Sequence, residues 1–149
     1  MLVPELDVTE LAASLRFYAE VLGFRVLFER PGERFAYLER DGVELMIQDA
    51  AGPGRRFRTA PLERPCGRGV NFQLRVEDVD ALHARAVKAG ATIVVPIEER
   101  WYRVDVARSG GRWQVTGPAE AGNRQFVVAD PDGYLWRPFR DLGTHAATQ

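Results

Sequence analysis

Two stretches of the chain, Phe35–Gln48 (FAYLERDGVELMIQ) and Phe126–Phe139 (FVVADPDGYLWRPF), align without a gap, and an Asp-Gly pair falls at the same place in each. Asp-Gly between apolar runs is a strong short-range signal for a β-hairpin, because glycine takes the positive φ that such turns need. The segments leading into the hairpins repeat as well. LVPELDVTELAASLRFYAEVLGFRVLF from Leu2 overlays VNFQLRVEDVDALHARAVKAGATIVV from Val70, setting Val3 opposite Asn71, Leu6 opposite Leu74 and, after a one-residue slip, Gly23 opposite Gly90. Two copies are too few, and each is too long, for a solenoid, so the economical reading is a pair of packed modules.

Each copy reads βαβββ. Leu2–Val8 alternates like a strand covered on one face. Thr9 is suited to cap a helix in which Leu11, Leu15, Tyr18 and Leu22 recur at helical spacing up to Gly23, a C′ glycine. Phe24–Phe28 reads as the next strand, and Glu29–Glu33 as a turn into the first hairpin. In the second copy Asp78 or Glu77 takes the capping position, and Val79, Leu82, Ala86 and Val87 form the buried stripe. The expected organisation is one domain over 1–149, with a first module at about 1–48, a linker at 49–69 and a second module at about 70–141.

At 149 residues and 46% hydrophobic content the chain can bury a core of its own. A net charge of −1, with both signs interspersed, gives no nucleic-acid or anionic-membrane signal. The single cysteine, Cys66, has no internal partner, and no apolar run approaches the length of a membrane span. The expectation is a cytoplasmic protein with no nucleic-acid or membrane partner.

Two segments fall outside the repeat. The linker (DAAGPGRRFRTAPLERPCGRG) is rich in Gly, Pro and Arg and reads as a solvated connection whose arginines could also grip an anion. The second module carries an insertion between Pro96 and Gln125 with Trp101, Tyr102 and Trp113. Large aromatics are costly to leave in water, so this loop is expected either to fold back as the lid or wall of a pocket or to lie on the sheet or a second subunit.

DVTELAASLRFYAEVLGF at Asp7–Phe24 and RQFVVADPDGYLWRPF at Arg124–Phe139, together with the repeat, resemble the vicinal oxygen chelate superfamily, which includes glyoxalase I, extradiol dioxygenases and bleomycin-resistance proteins. The resemblance spans nearly the whole chain. It implies an α+β fold in which the two modules form a curved mixed-sheet cup with the helices outside. In metal-dependent members, ligands from the first and last strands of both modules converge in the cup. The matching positions here are Val3, Asn71, Met46 and Arg137. Valine has no lone pair to offer, Met is a soft thioether and Arg is a permanent cation, so this set suits no hard metal. A shifted site using Glu5, Glu44 and Asn71 is the alternative, and would make the chain a metal-dependent glyoxalase- or dioxygenase-type enzyme.

Period-2 alternation assigns Val3, Glu5, Glu44, Met46, Gln48, Asn71, Gln73, Leu135 and Arg137 to the cup, and Leu6, Val8, Leu45, Ile47, Phe72, Leu74, Val76, Tyr134 and Trp136 to the side beneath the helices. Arg137 should pair with Glu44 or Glu5, or meet an anionic group of a ligand. No Ser or Cys stands in a plausible nucleophile–His–acid order. Asp130 and Asp132 read as turn residues, and His83 as an exposed or capping histidine. The reading is therefore a homodimeric binder, without metal or other cofactor, that sequesters a small molecule as bleomycin-resistance proteins do. Glu44, Met46, Asn71, Gln73, Trp101, Tyr102, Trp113 and Arg137 are its expected ligand contacts.

Overall fold

The computed structural model describes residues 2–110 and 112–146, except for the side chains of 107–109, 113 and 116. Strand β1 (Glu5–Val8) leads into helix α1 (Leu11–Arg16), a π-helical turn (Phe17–Val21) and strands β2 (Arg25–Arg30), β3 (Phe35–Arg40) and β4 (Val43–Asp49). The second copy follows as β5 (Asn71–Arg75), α2 (Val79–Lys88), β6 (Thr92–Ser109), β7 (Arg112–Ala129) and β8 (Leu135–Ala146). The repeat becomes two sheets of identical topology, β1-β4-β3-β2 and β5-β8-β7-β6, in each of which the first and last strands run parallel. The chain is α+β, two tandem βαβββ modules.

Asp41 and Gly42 both take positive φ, as a two-residue hairpin turn requires, and fix a register that pairs Tyr37 with Met46 and Glu39 with Glu44. Leu6, Val8, Leu38, Leu45 and Ile47 from one sheet, and Leu74, Phe126, Val128 and Trp136 from the other, share one continuous core with Tyr18, Leu22, Val79 and Leu82. The helices cover these faces. The polar faces lie on the opposite, concave side.

Thr9 does not cap α1. Glu10 occupies the N-cap without a side-chain bond, and α-helical pairing gives way to the π turn after Arg16. The Thr9 amide and hydroxyl instead donate to Asp132 at 2.9 and 2.6 Å, and Arg64 adds a third donor at 3.0 Å. Asp132 is only 1% exposed, and a buried carboxylate needs donors more than a helix end near water needs a cap. Asp78 caps α2 as expected, accepting from the Ala81 amide. His83 is neither free nor a cap, since its ring packs edge-on against Phe126.

Asp130 and Asp132 do belong to a turn, and they also join the modules. Asp130 accepts from the amides of Asp132 and Tyr134 and from the hydroxyl of Tyr18, whose oxygen in turn accepts from the Trp136 indole. The Tyr134 hydroxyl reaches back to the Asp7 carbonyl. The linker closes on the same turn. A Cβ on Gly133 would come within 2.6 Å of Pro65, and one on Gly67 within 2.8 Å of the Tyr134 backbone, so only glycine fits at either place.

The insertion is not a loop. It lengthens β6 and β7 into a hairpin arm, with Trp101 paired to Gly122 and Tyr102 to Ala121, and β8 flanks the arm as far as Ala146 opposite Ala119. The alternation of Tyr102, Val104 and Val106 already carries the strand period.

Burial pushes the Tyr18 phenol well above its ordinary range, with the Asp130 carboxylate adding to the effect. Tyr18→Phe should cost about 1–3 kcal/mol in urea unfolding, because the buried Asp130 loses a donor and the Trp136 N–H its acceptor. Burial likewise raises the Asp130 carboxyl. A raised folded pKa stabilises most below the unfolded value of about 4, and the contribution is lost as pH rises through the folded value. The stability advantage of wild type over Asp130→Asn should therefore shrink as pH rises through that window, as read from urea melts at successive pH values.

Candidate functional site

The concave face of the second sheet is set by register. Gln73 pairs with Arg137 and Asn71 with Leu135, while Gln125 pairs with Phe139. Paired residues share a face, so Asn71, Gln73, Gln125, Leu135, Arg137 and Phe139 stand together, and Tyr102 joins them by bonding Gln125 at 3.1 Å. Arg137 is half-buried. It forms no ion pair among the described residues, neither with Glu44 nor with Glu5, and its Nε is buried without a partner.

The concave face of the first sheet is different. Phe28 stacks on Tyr37, with ring centroids 5.0 Å apart and planes 18° from parallel, and it also touches Phe35. The Tyr37 hydroxyl donates a short hydrogen bond to Glu44, and that bond raises the phenol above its usual range. Met46 is half-buried opposite Tyr37. Glu44 also lines a groove of about 390 Å³ with Asn71, Gln73, Pro4 and Phe72, so one wall comes from each module.

The remaining expected contacts are on the arm. Tyr102 is 40% exposed on the Gln125 face. Trp101, one residue earlier, points to the other face, where its ring lies over Gly122 and within 4.5 Å of the His145 ring. The Trp113 side chain lies outside the described residues. Sequence reasoning missed Phe28, Tyr37, Glu98 and Gln125. Tyr37 could have been found, since a two-residue turn at Asp41-Gly42 dictates its pairing with Met46. The linker arginines hold the protein itself. Arg56 and Arg58 both pair with the buried Asp7 and donate to the carbonyls of Asp49 and Ala50.

The family model of the Glyoxalase/Bleomycin resistance protein/Dioxygenase superfamily matches residues 4–137, which takes in both modules and the linker. The chain belongs to this superfamily. An uncharacterized protein of Mycobacterium bovis is 28% identical to it, with 95% of this chain and 85% of the relative covered. Among solved structures, TioX from Micromonospora sp. ML1 is similar at TM-score 0.63 and 26% identity, over 95% of this chain and 98% of that one. TnmS3, an antibiotic binding protein from Streptomyces sp. CB03234, is similar in fold at TM-score 0.62 and 23% identity, over 93% of each chain.

Metal-dependent superfamily members need several hard donors at one point in the cup. The residues here do not fit such a centre. Among the described residues no three His, Cys, Asp or Glu side chains are grouped to hold a metal ion, Glu44 is engaged by Tyr37, and a guanidinium stands on the last strand. No helix among the described residues is long and apolar enough to cross a membrane.

The hydrogen bond to Asp7 keeps the Arg58 guanidinium above its ordinary range. Arg58→Ala leaves the Asp7 carboxylate with Arg56 at 3.7 Å. The expected outcome is a loss of about 1–3 kcal/mol in urea unfolding, together with faster amide exchange across residues 50–60.

Proposed function

We propose that the chain is a small-molecule binding protein of the drug-sequestering kind, and that it holds its ligand rather than transforming it. The observation that carries this reading is Arg137, a guanidinium on a concave face whose Nε is shielded from water and has no partner among the described residues. An unpaired buried donor is costly, and a ligand acceptor would remove that cost. The ligand is then neutral or partly anionic where it meets Arg137. Asn71, Gln73 and Tyr102 share this face, and Glu44 and Met46 supply the wall from the first sheet. Tyr102 is the aromatic contact that this proposal draws from the arm, since the Trp101 ring lies on the other face, over Gly122. That TnmS3 is an antibiotic binding protein supports an antibiotic-like ligand.

The active species in this proposal is a homodimer of single-domain chains working in the cytoplasm. Two exposed surfaces support the dimer. Edge strand β2 presents Val26, Leu27 and Phe28, and the arm presents Trp101, Tyr102, Val106 and Val115, the last 85% exposed. Sedimentation equilibrium at micromolar concentration should give twice the chain mass, and a monomer would remove this part of the reading.

Titration calorimetry with a panel of aromatic and glycopeptide compounds tests the binding itself. At least one compound should give saturable heat, and Arg137→Leu should weaken it about tenfold or more, the cost of a lost charge-assisted contact. Folded protein that shows no saturable heat with any compound would overturn the proposal.

A further inference from the structure

We infer that Gln125 and Arg137 form a subsite for a carboxamide-type group, one that presents a carbonyl oxygen and an N–H side by side. The inference rests on the binding reading above and names the chemistry the site selects. Gln125 is 4% exposed, and its side chain is held from behind. Its Nε2 lies 3.4 Å from Glu98 Oε1 and 3.1 Å from the Tyr102 hydroxyl, while Arg100 holds the other Glu98 oxygen at 3.1 Å. An ionised carboxylate only accepts, so Glu98 fixes which end of the Gln125 amide turns toward it. The Oε1 is thereby left buried with no donor.

Arg137 is the complementary case, a buried Nε–H with no acceptor. Gln125 pairs with Phe139, two residues along β8 from Arg137, so the two side chains stand at diagonal positions of one face, about 7–8 Å apart at the backbone. Two long side chains at that spacing can converge on a single small polar group. A carboxylate would satisfy Arg137 but set its second oxygen against Gln125 Oε1 and toward Glu98. An ester offers an acceptor and no donor, and an ammonium would be repelled by Arg137. A carboxamide or lactam gives its oxygen to Arg137 and its N–H to Gln125.

Calorimetry on the full chain with naphthalene-2-carboxamide, 2-naphthoate and methyl 2-naphthoate, which share one ring system, tests the inference. The carboxamide should bind about tenfold tighter than either of the others, the ratio expected when one buried hydrogen-bonding atom goes unpaired. Gln125→Leu should abolish the preference for carboxamide over ester, whereas Arg137→Leu should weaken the binding of both. The wild-type ranking needs no variant, so the test survives a Gln125 variant that fails to fold. The inference is overturned if the carboxylate binds tightest, if the three bind equally, or if Gln125→Leu keeps the preference. It is also overturned if none of the three binds while other panel compounds do, and in that case the binding reading stands. Loss of all binding across the panel removes both.

Discussion

Two carboxylates in one turn hold the halves of this chain in a fixed relation. Asp130 takes the Tyr18 hydroxyl from beyond the first helix, and Asp132 takes both donors of Thr9. Each is buried, so neither can exchange its protein donors for water at small cost. Duplicated modules could pack in several ways on apolar contacts alone, since such contacts are non-directional. Hydrogen bonds between a strand end, a helix and the opposite turn select one of them. The position of each concave face relative to the other follows from that choice.

The rest of the architecture follows from alternation and turn chemistry, which is why so much of it could be read in advance. Leu6 and Val8, Leu45 and Ile47, and Leu74 and Trp136 lie on the core side as period 2 requires, because a strand has only two faces and one of them is covered. Thr9 was misjudged because its competing partner lies 123 residues away, beyond the reach of any local rule. The insertion was misjudged for a different reason. Its length suggested a loop, although its side-chain period was that of a strand. At the concave face, Met46 and Arg137 stand at equivalent places on the last strands of the two modules, as the alignment of the two hairpins requires. Gln125 could not be singled out, since its significance depends on Glu98 and Tyr102 across the hairpin.

The two concave faces have different chemistry. One carries stacked rings with a carboxylate held by a phenol, and the other carries a guanidinium, an amide and asparagine. The superfamily's architecture places a cup there whatever its content, and residue choice decides whether the cup holds an ion or an organic molecule. In this chain Val3, Met46 and Arg137 offer no hard donor at the positions where metal-dependent members carry their ligands, and amide, guanidinium and aromatic side chains line the concave faces.

The linker is a strap with two unlike fastenings. At its far end Gly67 fits against the Tyr134 backbone and Gly133 against Pro65 with no room for a side chain, a steric joint beside which Arg64 also reaches Asp132. At its near end Arg56 and Arg58 hold Asp7 by charge, and part of that hold weakens as ionic strength rises. A change of salt would therefore weaken the charged contacts at both ends, and only the far end keeps a close-packed steric fit that holds the strap to the turn joining the modules.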